Sequence, residues 1–116
     1  MAYQSFEDLQ VWQRACRLAL QIFEVMENSK NYALKDQMTR SSISIPSNIA
    51  EGHERGYPKD YTRFLKISKG SCGELRTQLY LASKSNQINV EQGELLIQET
   101  KEISAMLFGL IKTIKG

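Results

Sequence analysis

The sequence predicts an all-α fold: an antiparallel up-down-up-down four-helix bundle in a single domain over residues 1–116. Three observations carry this expectation. Four long segments repeat apolar residues at three- and four-residue steps, the spacing of one helix face. β-branched alternation is scarce, and the only two prolines, Pro46 and Pro58, leave those segments nearly whole. The links are short, Asn28-Ser29-Lys30-Asn31 and Arg55-Gly56-Tyr57 among them, and short links between helices about 30 Å long favour antiparallel neighbours.

Helix one is expected from near Ser5, where Ser5 and Asp8 have the spacing of a capping box, to about Asn28. Its residues Leu9, Trp12, Cys16, Ala19, Leu20, Phe23 and Met26 form one apolar stripe. Val11, Ala15, Leu18, Ile22 and Val25 form a second beside it. Together they cover roughly 220° of the helix, about twice what an outer helix of a monomeric bundle buries. The second stripe is therefore expected to meet another subunit, the alternative being a helix sunk unusually deep in its own core. Gln10, Gln13, Arg14, Arg17, Gln21 and Glu24 are left for water.

Helix two is expected over 33–54, bent at Pro46, which removes one backbone hydrogen bond that nearby serines can compensate. Gln37, Arg40, Ser44, Asn48, Glu51 and Arg55 share one face, and Met38, Ser42, Ile45, Ile49 and Gly52 its neighbour. Amides, hydroxyls, an acid and two arginines can close hydrogen bonds on one another when partly buried. This stripe is expected to form a structural network with Glu74 and Gln78 of helix three, with Glu74 paired to Arg40 or Arg55. An ordinary solvated face is the simpler alternative.

Helix three starts at Pro58, a favourable first-turn residue, and runs to about Ser85. Tyr61, Phe64, Leu65, Ser68, Cys72, Leu75, Leu79 and Ala82 make its core stripe. Gly70 and Gly73 each cost about 1 kcal/mol against alanine inside a helix, which suggests that something packs closely there. Helix four is expected over 90–114.

Composition bounds the function. Hydrophobic residues make up 41% and charged residues 24%, ordinary values that exclude a disordered chain. The net charge of +2 is too small by itself to indicate nucleic acid, but it is unevenly placed. Residues 52–76 carry +3, residues 1–51 carry −1 and residues 77–116 are neutral. Lys59, Arg63 and Lys66 fall on one face of helix three, with Lys69 at its edge and Arg55 just before. Such a row is either a solvated face or, multiplied in a symmetric oligomer, a phosphate-binding surface. Cys16 and Cys72 lack the spacing of a disulfide framework or zinc site and read as buried thiols. No metal or cofactor is expected. His53 is the only histidine and is expected at the surface, with no nucleophile placed for it. Glu51 and Glu74 read as ion-pair partners rather than an acid and base. No stretch approaches the roughly 20 apolar residues of a membrane span, and the start MAYQSFEDLQ does not read as a signal peptide. A cytoplasmic protein without membrane partners is expected.

Several of these runs carry a resemblance. Phe6-x-x-Leu9-x-x-Trp12-x-x-Ala15, Asp36-Gln37-x-x-Arg40 and Ser44-Ile45-Pro46-x-Asn48-Ile49-Ala50-Glu51-Gly52-x-x-Arg55 are followed by Phe64-Leu65, Gly70-Ser71 and Glu74-Leu75-x-Thr77-Gln78-Leu79. Over residues 5 to about 82 the chain resembles the bacterial 23S rRNA-intervening-sequence protein family. Arg76 departs from the pattern, which has an acid there. The resemblance implies a four-helix bundle assembled as a ring-shaped homopentamer, with no established enzymatic activity. The chain is also similar, more distantly, to the accessory protein of diversity-generating retroelements, which partners a reverse transcriptase and binds nucleic acid. The expected function is a homo-oligomeric, non-enzymatic bundle that binds RNA or DNA with little base preference through helix three, beside a nucleic-acid enzyme. The alternative is a protein-binding scaffold with no nucleic-acid contact.

Overall fold

A computed structural model describes residues 5–115. A short 3-10 turn, Phe6–Asp8, precedes four helices: α1 (Gln10–Val25), α2 (Tyr32–Arg55), α3 (Pro58–Lys84) and α4 (Val90–Thr113). No strand occurs among the described residues. The body measures 48 × 21 × 20 Å, the shape of long helices lying side by side.

The ends follow local chemistry. Ser5 and Asp8 do form a capping box, but it caps the 3-10 turn, and extended backbone at Leu9 separates that turn from α1. The Asn31 and Asn89 side chains accept the N–H groups of Leu34 and Gln92 at the starts of α2 and α4. Gly56 closes α2 in the left-handed region, at φ 78°, which only glycine adopts without strain. Pro58, two residues on, begins α3.

α2 continues through Pro46, which is buried. The hydroxyl beside it comes from the neighbouring helix: Ser68 Oγ of α3 donates to the Ile45 carbonyl at 2.8 Å. Ser44 Oγ lies 2.8 Å from Ser71 Oγ, and Gly52 backs onto Phe64. As α2 positions rise, their α3 partners fall, so the two helices run antiparallel. The same holds for α3 and α4, where Arg76 Nε donates to Thr100 Oγ1 at 3.2 Å and Lys69 reaches Phe108. Arg76 thus has a hydroxyl partner on α4.

The core is one cluster. Leu18, Ile22, Met38, Ile45, Ile49, Leu65, Leu75, Leu79, Ile103 and Leu107 are fully buried in it, each contributing about 1.5–3 kcal/mol over exposure. This corrects the reading of α1. Val11, Ala15, Leu18 and Ile22, expected to face another subunit, are buried in the chain's own core, and Val25 packs half-buried against it. The other stripe is split: Ala19 and Met26 are buried as well, Trp12 and Cys16 are half-buried, and only Leu20, 64% exposed, and Phe23, 38% exposed, are left open. Periodicity gave two adjacent stripes and could not say how much of each α2 and α4 cover.

A second correction concerns glycine. An added Cβ at Gly70 or Gly73 meets nothing within 4 Å among the described residues, so no neighbouring element packs closely against them there. The close approach is at Gly52, where a Cβ would stand 2.7 Å from Phe64 Cβ and 3.3 Å from the Tyr61 carbonyl oxygen.

Candidate nucleic-acid interface

α3 carries the basic row on an exposed flank, because its apolar residues recur on the opposite side and are buried there. Lys59, Arg63 and Lys66 line one shallow hollow of about 320 Å³ together with Thr62. Spacings of four and three residues bring them into line along the helix. Lys59 and Lys66 form no ion pair among the described residues, and Arg63 has only a loose one, 3.8 Å from Asp60. Neutralisation within the chain is slight.

The two other predicted residues depart from this row in different ways. Arg55, at the end of α2, pairs with Glu51 at 3.0 Å. Its guanidinium lies 4.8 Å from the centre of the Phe64 ring and that of Arg63 lies 4.4 Å from it, so Phe64 links the two arginines. Lys69 is half-buried and turns toward α4, with its ammonium 6.0 Å from the centre of the Phe108 ring. The ammonium of Lys112 lies 5.2 Å from the same ring. Lys112 and Phe108 went unread in the sequence, since only the α3–α4 register brings them to Lys69.

The polar stripe of α2 divides. Asn48 Nδ2 donates to the Ser44 carbonyl at 2.8 Å and to Ser44 Oγ at 2.9 Å. With the Ser44–Ser71 contact this forms a hydroxyl-and-amide chain between α2 and α3. Glu51 lies outside it, with Arg55. The expected Arg40–Glu74 pair does not form: Arg40 is exposed and its Nε donates to Asp36 at 3.0 Å, one turn back on α2. Glu74 is exposed too and has no ion pair among the described residues. Gln37, Arg40, Ser41, Ser44, Glu74 and Gln78 instead line an open trough of about 300 Å³. No ion pair spans it among the described residues, so water can satisfy the charges that a closed seam would have forced together. Gln78 is buried, and its Oε1 has no partner among the described residues.

His53 is also corrected. It is half-buried, edge-on to the rings of Phe6 and Tyr61 at centroid distances of 6.4 and 5.5 Å, and its Nδ1 is buried with no partner among the described residues. Its ring is held by this aromatic packing rather than standing at the surface. Cys72 is buried, and desolvation pushes its thiol up to about 12. Cys16 is half-buried and raised for the same reason. Neither has thiolate character near neutral pH. No group of three metal-ligating side chains occurs among the described residues, and no helix described is long and apolar enough to cross a membrane.

Helix one supplies a feature that sequence reasoning placed in water. Arg14 is half-buried, with Nε donating to Glu99 at 2.9 Å and NH2 to Glu102 at 2.7 Å, so it ties α1 to α4. These bonds, Glu99 first, raise the Arg14 pKa, and Arg14 with Gln98 lowers that of Glu102.

Residues 7–109 match a family model described as 23S rRNA-intervening sequence protein. Among solved structures, the chain is similar to a protein of unknown function from the S23 ribosomal protein family of Bacteroides thetaiotaomicron. The two superpose with a TM-score of 0.83 at 26% identity, over 89% of this chain and 99% of that one. No functionally curated protein matches the chain.

Proposed function

The chain belongs to the 23S rRNA-intervening sequence protein family, and from that premise we propose a homo-oligomeric, non-enzymatic bundle that binds RNA or DNA with little base preference through α3. The observation that carries the reading is the row of Lys59, Arg63 and Lys66 around one exposed hollow, with both lysines free of ion pairs among the described residues and Arg63 only loosely paired. Exposed cationic side chains neutralise phosphates and release counterions, an attraction blind to base identity. Self-association repeats the row and multiplies the affinity. The open side chains of α1, Leu20 and Phe23, support self-association in place of the stripe now known to be core. A role beside a nucleic-acid enzyme is compatible with a surface that grips the backbone and leaves the bases to a partner.

Lys59→Glu/Lys66→Glu tests this best, since neither side chain supports the fold. A labelled oligonucleotide is titrated at about 50 and 200 mM salt, across which several phosphate contacts change affinity by orders of magnitude. Wild type is expected to bind at the lower salt with a steep salt dependence, and the double variant to bind far more weakly with a flatter one. Equal binding by the variant, or none by wild type, rejects the reading. A protein-binding scaffold then takes its place, favoured by the same exposed apolar side chains, Ile43 at 45% among them.

A further inference from the structure

Resting on the reading of α3 as a nucleic-acid surface, we infer that the ligand is a single strand and that Phe108 of α4 stacks on one of its unpaired bases. Phe108 is 54% exposed. It lies beyond Lys66, at the point where the basic row of α3 meets α4, with Lys69 and Lys112 beside its ring. An apolar ring open to water between two ammonium groups matches a nucleotide, which offers a flat π-face next to a phosphate.

Phe64 shows what a purely structural pairing looks like in the same molecule. It is only 7% exposed, and its contacts with Arg55 and Arg63 complete the packing of a buried ring. Phe108 has the cations without the burial, so its ring remains available. The surroundings keep the site positive. Arg76 and Lys101 continue the basic surface toward the middle of the bundle, with Arg76 anchored to Thr100. Of the carboxylates on these helices, Glu74 lines the trough toward α2, Glu99 and Glu102 hold Arg14 on the α1 side, and Asp60 lies near Arg63 at the other end of the row.

The strandedness follows from access. In a duplex the base faces are covered by one another, and a side chain reaches them only by prising a step open, which costs a few kcal/mol. A ring on a helix flank, with no wedge beside it, meets an unpaired base without that penalty. Lys59, Arg63, Lys66, Lys69 and Lys112 contact the backbone of either form, so only Phe108 distinguishes them.

The test measures an unstructured pyrimidine oligonucleotide and a duplex of equal length against wild type, Phe108→Leu and Phe108→Trp, with helicity and light scattering as controls. Phe108→Leu is expected to weaken single-strand binding about tenfold, as loss of one base–aromatic stack does, and to leave duplex binding unchanged. Phe108→Trp is expected to retain wild-type single-strand affinity. If Phe108→Leu binds the single strand as wild type does, the stacking role is overturned while the basic row stands. Equal losses on both ligands, or a changed oligomer with single-strand affinity intact, also overturn it, the latter assigning Phe108 to an interface between copies. Absence of wild-type binding to either ligand at about 50 mM salt, where phosphate contacts are strong, removes the basic-row reading and this inference together.

Discussion

Two of the bundle's seams are built on opposite principles. Between α2 and α3 the backbones approach closely: Gly52 leaves no room for a Cβ, and serines reach across at Ser44–Ser71 and Ser68–Ile45. Between α1 and α4 the helices leave a hollow of about 560 Å³ lined by glutamines, arginines and Leu95, with Arg14 as its clasp. The first seam is specified by shape where it closes, from Ser44 to Gly52, and opens beyond Ser44 into the trough of Glu74 and Gln78. The second is wet and held by charge at a point. A close seam tolerates no added atom, whereas a charged clasp is sensitive to pH and salt and contributes less, because solvent screens it.

The largest expected effect breaks the close seam. Gly52→Ala drives a methyl group into Phe64 Cβ, an atom fixed to the α3 backbone, so the helices must part. A loss of about 1–3 kcal/mol is expected, the usual range for overpacking, read as a lower denaturation midpoint. Unchanged stability shows that the seam can relax and removes the contrast.

Next comes the clasp. Arg14→Met keeps the stem and removes the charge, and a loss of about 1 kcal/mol is expected, at the upper end for a partly exposed pair. The pH dependence separates this from a packing defect. Arg14 holds Glu102 below the ordinary carboxylate value, so folding gains from this pair above that value and loses the gain as pH falls through the depressed one. The raised pKa of Arg14 matters only in strong alkali. Wild type should therefore lose stability relative to Arg14→Met on acidification toward pH 3, a value just below the ordinary Glu range, and the two melting temperatures should converge. Parallel curves reject the clasp.

The smallest effect is a gain. Gly70 and Gly73 look like the glycine of a close seam, yet no neighbouring element among the described residues stands near them. Gly70→Ala or Gly73→Ala should each stabilise the isolated bundle by about 0.5–1 kcal/mol through helix propensity alone. Should either destabilise a concentrated sample and not a dilute one, another copy packs there, and a second close seam lies between subunits.

Much of the fold was legible. The limits of α2, α3 and α4 came within a residue because caps, Gly56 and Pro58 act on their own stretch of chain, whereas helix one was expected from Ser5 and α1 begins only at Gln10, past the 3-10 turn that Ser5 caps. At the basic row, Lys59, Arg63 and Lys66 were found together because neighbours on one helix face are fixed by spacing. Arg40, His53 and Arg14 were misplaced for a shared reason. Each lies near a helix–helix boundary, where a small rotation about the helix axis moves a side chain between solvent and seam.

The sequence by itself determined the four helices, the ends of α2, α3 and α4, the apolar arc of each helix and the one-helix charge row, since all of these depend on residues close along the chain. Only the tertiary structure decided which half of the α1 arc is core, which glycine is crowded, that Arg14 meets Glu99 and Glu102, and that Lys69 and Lys112 share Phe108. Those facts depend on the rotation and register of helices distant in sequence, which the packing of whole side-chain surfaces sets and no single helix encodes.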